Sequence, residues 1–183
     1  TDFTEKEFLD AINNEAFIDS LIEKYPNTIT EAVKNEDILY KLEGYIFPAT
    51  YDYMSQYEPE DMLDVMVQKT DEILKPYQGK IKASGYNVHE ILTLASLVEK
   101  EGIEYEDRQM IADVFFNRLD EEMALQSDIS LLYALDKHTE YVTIADTEVD
   151  SPYNLYINKG FGPGPFDNPS EQAIQATLNP IDG

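Results

Sequence analysis

One stretch constrains the fold more than any other: Leu92-Thr-Leu-Ala-Ser-Leu-Val-Glu99-Lys-Glu101-Gly102. A run too apolar for a surface helix ends in a carboxylate, a lysine, a second carboxylate and a glycine, so an acid is delivered to the end of a buried helix. Asn87 followed by Glu90 has the spacing of a capping box and predicts the helix start. Gly102 is expected to close it in the left-handed conformation. Glu99 then lies in the last turn, where the negative end of the helix dipole and apolar neighbours (Leu92, Leu94, Ala95, Leu97, Val98) disfavour its charged form. That is the direction a general acid requires. The same pattern also fits a solvated helix terminus, and spacing alone does not decide between the two.

The surrounding chain reads as mainly helical. Thr4 with Glu7 predicts a helix to about Lys24, broken by Pro26-Asn27, and Thr28 with Glu31 a shorter one to about Asn35. Leu42 to Tyr53 changes character: aromatic and β-branched residues around one Gly and one Pro read as short extended pieces and a turn. Pro59 opens a helix to about Lys75 whose methionines are core filler. Glu104 to about Glu122 follows, with Asn117 and Arg118 off its apolar stripe.

Beyond Met123 the chain is irregular through Gln126-Ser127-Asp128, with a brief helix over 130–135 and a short strand over Tyr141–Ile144. The Pro/Gly-rich segment from Ser151 to Phe166 can be neither helix nor central strand, and is stiff enough to line a cleft. Asn168 as N-cap, Pro169 at the first helical position and Glu171 start a final helix through Leu178. The expected class is α+β: a mainly helical catalytic domain with short antiparallel β segments and a Pro/Gly-rich cleft loop.

Composition narrows the chemistry. With 37 Asp plus Glu against 13 Lys plus Arg, a formal net charge of -24, too few cations are present to neutralise nucleic-acid phosphates, and nucleic acid is excluded as a partner. Such a charge also repels anionic lipid and polyanionic polymers, leaving largely neutral, sugar-based ones. No cysteine is present, so no disulfide or thiolate metal site can form, and no apolar run reaches the length of a membrane span. His89 and His138 lack partners at ligand spacing, so no metal and no cofactor are expected. Ser96 lies outside any nucleophile elbow. Elimination leaves carboxylate chemistry assisted by amide, hydroxyl and tyrosine groups, the set that glycosidic-bond cleavage uses. With 13 Tyr, 8 Phe and no Trp, a sugar platform must be Tyr or Phe.

Spaced blocks then carry a resemblance: Leu42-Glu-Gly-Tyr-Ile-Phe-Pro-Ala-Thr-Tyr51, Leu94-Ala-Ser-Leu-Val-Glu-Lys-Glu-Gly102, Ile111-Ala-Asp-Val-Phe-Phe-Asn-Arg-Leu119, Leu125-Gln-Ser-Asp128, Ser151-Pro-Tyr-Asn-Leu-Tyr156, Gly162-Pro-Gly-Pro165 and Asn168-Pro169. In this order they resemble the YceG-like endolytic murein transglycosylases, in the form found in streptococcal-type Gram-positive bacteria. The resemblance covers about Leu42 to Pro180. It implies a catalytic domain over 41–183, preceded over 1–40 by a helical preface resembling the end of a LysM-like module.

Carried over by motif, the resemblance implies Glu99 as catalytic acid, with Gln126, Ser127, Asp128, Tyr153, Asn154 and Tyr156 binding substrate. Ile129 stands where many relatives have proline. The implied reaction cuts the β-1,4 bond from N-acetylmuramic acid to N-acetylglucosamine in peptidoglycan without water. The acid protonates the leaving oxygen and then accepts the proton of the muramyl 6-hydroxyl as a 1,6-anhydro ring closes, so no second carboxylate is required. A hydrolytic muramidase pairing Glu99 with Asp128 or Glu101, and a non-catalytic wall-binding or scaffold module, are the alternatives. Glycan strands are the implied partner, with peptidoglycan synthases and division or elongation proteins. The implied place is the outer face of the cytoplasmic membrane, anchored by an N-terminal helix absent from this chain.

Overall fold

The computed structural model describes residues 3–138 and 141–182. The helices run in the order α1 (Glu5–Ile12), α2 (Glu15–Lys24), α3 (Pro59–Leu74), α4 (Gln78–Ser84), α5 (Val88–Glu101), α6 (Tyr105–Asp120), α7 (Asp128–Ala134) and α8 (Glu171–Thr177). Three 3₁₀ turns, Glu31–Lys34, Lys75–Tyr77 and Asp146–Glu148, lie between them.

Helix α5 is the axle. Its capping box forms as the sequence predicts: the Asn87 side chain accepts from the Glu90 amide and the Glu90 carboxylate accepts from the Asn87 amide, both at 2.9 Å. All eight residues from Ile91 to Val98 are buried, so this helix is covered on every side. Ile91, Leu92 and Ala95 join a core with α1, α2 and α3, while Leu94, Leu97 and Val98 join a second with Ala112, Phe115, Tyr153, Leu155 and Phe166. Each fully buried aliphatic side chain contributes about 1.5–3 kcal/mol relative to exposure. Residues from the first forty, among them Ile18, Leu21, Ile29 and Val33, pack into the same core as the start of α5.

The described residues contain no strand, which corrects the α+β expectation to an all-helical fold with long irregular connections. Over 42–53 the aromatic residues do favour extended backbone, but the polar groups of that backbone are engaged by side chains rather than by a neighbouring strand. The Asn168 amide oxygen accepts from the amides of Gly44 (2.7 Å) and Ile46 (3.1 Å), and Thr70 donates to the Tyr45 carbonyl at 2.6 Å. Gly44 is obligatory there, since φ is +92° and an added Cβ would lie 2.2 Å from Pro165. The strand expected at Tyr141–Ile144 is absent too: Tyr141 is 81% and Ile144 85% exposed, so neither packs as a half-buried strand residue would.

Several boundaries also shift for local reasons. The helix expected from Thr4 to Lys24 is two, because Asn14 caps α2 by accepting from the Phe17 amide at 2.9 Å. Thr28 donates to Asp71 instead of capping, and Thr30 caps a 3₁₀ turn. Helix α7 begins at Asp128, earlier than Ser130. Ser170, not Asn168, caps α8, since Asn168 is spent on the 44–46 loop. Gly102 is extended at φ -111°, not left-handed. Its lack of a Cβ matters because one would approach the Arg108 Cγ to 2.7 Å, so glycine lets α6 cross close to the end of α5.

Candidate active site

The last turn of α5 sends its two glutamates to opposite sides, because residues two apart on a helix point about 200° apart. Glu99 turns inward. Its Oε1 accepts from Arg108 Nη2 at 2.9 Å, and its Oε2 from the Ser170 amide at 3.0 Å and the Ser170 hydroxyl at 2.5 Å. The Arg108 side chain is 10% exposed and also donates to the Gly102 carbonyl and to Gln172. Glu99 thus ties α5 to α6 and to the cap of α8 through charge-assisted bonds. The sequence reading supplied only a helix dipole and apolar neighbours around this carboxylate; the structure adds a guanidinium and a helix cap.

Glu101 turns outward and is exposed. Its Oε1 accepts from the Ser127 hydroxyl at 2.6 Å. Ser127 occupies the N-cap position of α7, yet its side chain caps nothing there. A buried serine that would normally satisfy a helix amide is instead directed at this acid. Glu101, Gln126 and Ser127 line a cavity of about 280 Å³, walled by Met110, Val114 and Phe115.

The preceding loop is held under strain. Gln126 has φ +58°, a left-handed conformation that costs a non-glycine residue about 1 kcal/mol. Its amide donates to the Leu155 carbonyl at 3.0 Å, and Arg118 clamps the loop by donating to the carbonyls of Ala124 and Leu125 and to the Gln126 side chain. Asp128 accepts from the Tyr156 hydroxyl at 2.5 Å. Burial, and then that bond to a carboxylate, push the Tyr156 hydroxyl up to about 12, so it stays a donor.

Ser127, through its bond to Glu101, and its chain neighbours Gln126 and Asp128, with Tyr156 on Asp128, therefore form one polar rim at the end of α5. Tyr153 and Asn154 are placed behind it. Asn154 is fully buried, donating to the carbonyls of Thr147 and Val149 and accepting from the Tyr156 amide, so it shapes the loop that presents Tyr156. Tyr153 is 2% exposed, and its hydroxyl accepts from the Leu39 amide. Sequence reasoning missed Arg108 and Ser170 altogether. Arg118 carried a signal in lying off the apolar stripe of its helix.

His89 pins the Pro/Gly-rich loop. A carbonyl only accepts, so Nε2 donates to Pro163 at 2.9 Å and the neutral ring accepts the Tyr45 hydroxyl at Nδ1, consistent with burial pushing its pKa down. Among the described residues, no three His, Asp or Glu side chains gather to hold a metal ion.

The chain resembles known proteins along nearly its whole length. The chain is 44% identical over 182 residues to an endolytic murein transglycosylase of Streptococcus pneumoniae, covering 96% of this chain and 33% of that protein. A Bacillus subtilis protein of the same name is 40% identical over 181 residues, covering 98% and 50%. The chain therefore spans between a third and a half of the length of these relatives. A crystal structure of the yceG-like protein lmo1499 from Listeria monocytogenes superposes with a TM-score of 0.93 at 40% identity, covering 99% of this chain and 60% of that one. The YceG-like family model matches residues 2–183, and the chain belongs to that family.

Proposed function

We propose that this domain cuts peptidoglycan glycan strands internally as a lytic transglycosylase, and that Glu101 is its acid. One observation carries the choice. Of the two carboxylates closing α5, Glu99 has both oxygens committed within the fold, whereas Glu101 is exposed and shares its surface with Gln126 and Ser127.

The geometry supports a specific division of labour. Ser127 donates to Glu101 Oε1, which leaves Oε2 to carry the proton to the glycosidic oxygen. As the leaving sugar departs, the same carboxylate accepts the proton of the muramyl 6-hydroxyl, whose oxygen closes the anhydro ring. Because that nucleophile belongs to the substrate, proximity replaces an activated water. Asp128, Tyr156 and Gln126 orient sugar hydroxyl and acetamido groups, and the Tyr156 ring offers a stacking face.

Glu99 is a positioning residue in this account, fixing the end of α5 against Arg108 and Ser170. The names of the relatives support a murein substrate and hence work at the cell wall. Among the described residues no helix is long and apolar enough to cross a membrane. The proposal extends to action at the outer face of the cytoplasmic membrane, alongside peptidoglycan synthases and division or elongation proteins.

The test is digestion of purified peptidoglycan in heavy-oxygen water, read by mass spectrometry. Expected products end in 1,6-anhydromuramic acid without the isotope, and they form equally in excess chelator. Reducing muramyl ends carrying the label would mark a hydrolytic muramidase and overturn the mechanism. Absence of any cleavage would favour a binding or scaffold module.

A further inference from the structure

A second, larger cavity of about 650 Å³ begins at Lys100, the residue between the two glutamates. One wall is the outward face of α7: Ile129, Leu132 and Tyr133 follow helical spacing, while Ser130 and Leu131 point inward and are buried. The facing wall is the 39–43 segment, where Leu39 is 55% and Tyr40 42% exposed. Set into that wall is Glu43, whose carboxylate accepts from the neutral Tyr133 hydroxyl.

The charges of this groove are unevenly satisfied. Lys100 pairs with Asp167 at 3.0 Å and Lys137 with Asp146. Glu43 bonds to a neutral hydroxyl, and burial, reinforced by nearby Asp167, outweighs both that bond and the charge of Lys100 and pushes it up to about 6. At neutral pH it is a half-buried anion that a cation entering the groove would relieve. Leu39, Ile129 and Leu132 meanwhile offer apolar surface to small alkyl groups.

On the transglycosylase reading, the muramyl ring sits beside Glu101 when its bond is cut, and the neighbouring residue in the chain, Lys100, lines the groove. The sugar backbone itself carries neither amine nor alkyl side chain. The short peptide borne on the muramyl lactyl group carries both, and it branches away from the strand. We propose that this groove is the subsite for that peptide, with Glu43 pairing one of its amines.

The experiment compares kcat/KM of this chain on uncrosslinked peptide-bearing strands and on the same strands stripped of peptide by an amidase. Wild type is expected to favour the peptide-bearing strands by about tenfold, the worth of one partly buried ion pair, mainly through KM. Glu43→Gln, which keeps the bond from Tyr133, and Leu39→Arg, which puts a bulky cation into the groove wall from an exposed position, should each bring that ratio to within about threefold of unity. Thermal melts confirm folding. A wild type that cuts both polymers equally, or variants that keep its ratio, would overturn the subsite alone. A wild type that cuts neither would overturn the transglycosylase reading and the subsite with it.

Discussion

Replacing Glu99 by glutamine separates a structural from a catalytic role, and its cost can be worked from the contacts. The carboxylate holds three hydrogen bonds, from Arg108, the Ser170 amide and the Ser170 hydroxyl, with side-chain exposures of 23% for Glu99 and 10% for Arg108. Breaking a buried ion pair by neutralising one partner costs about 3–5 kcal/mol, because the other charge stays buried. Glu99 keeps some contact with water and Arg108 retains the Gly102 carbonyl and Gln172, so about 2–3 kcal/mol is the appropriate figure. For a domain of this size each kcal/mol lowers Tm by about 2–4 °C, which gives a drop of about 4–12 °C. Circular dichroism melts at pH 7, paired with peptidoglycan cleavage well below the variant's Tm, read both quantities. Glu99→Gln should melt early yet cut at more than about a tenth of the wild-type rate, as expected when no transferable proton has been removed. A variant that melts with wild type but does not cut would refute the assignment and return the proton to Glu99.

Two further outcomes follow from the same packing. Gly102→Ala is allowed by its backbone angles but places a Cβ 2.7 Å from Arg108 Cγ and 3.2 Å from its Cα, so α6 must move away from α5. A loss of about 1–3 kcal/mol in urea unfolding is expected, and wild-type stability would show that the close approach is dispensable. Glu43 is raised from the ordinary 4.5 to about 6, so the fold favours its neutral form, a contribution present below pH 4.5 and lost as pH climbs through about 6. At about 1.4 kcal/mol per pKa unit, Glu43→Gln should be more stable than wild type by up to ~2 kcal/mol at pH 8, with the gap closing at pH 4. A gap that widens on acidification would show the sign to be wrong.

What was legible in the sequence was what is local. The α5 capping box, the apolar run and the proline at the start of α3 act within a turn or two of themselves, and each formed where expected. The proposed preference for Glu101 over Glu99 is not local. It depends on Arg108, one helix later, and on Ser170, 71 positions away, which claim one carboxylate and leave the other to Ser127. The same holds for the missing strands: the amides of Gly44 and Ile46 are taken by a side chain 122 or more positions distant, which no β-propensity reveals. Tyr153 and Asn154 sit inside a recognisable motif, but the sequence does not show that Tyr133 and Phe166 pack around the first or that the second spends its amide on the 147–149 turn and the Tyr156 backbone.

The most direct test of the account is the activity of Glu101→Gln. Glutamine can still accept from Ser127, and an exposed side chain leaves the core untouched, so the variant should melt within about 1 °C of wild type, as surface substitutions do. Without a proton to give and take, it should release anhydromuramic ends from peptidoglycan at least ~10²-fold more slowly. Near-wild-type release of those ends by Glu101→Gln would contradict the central claim.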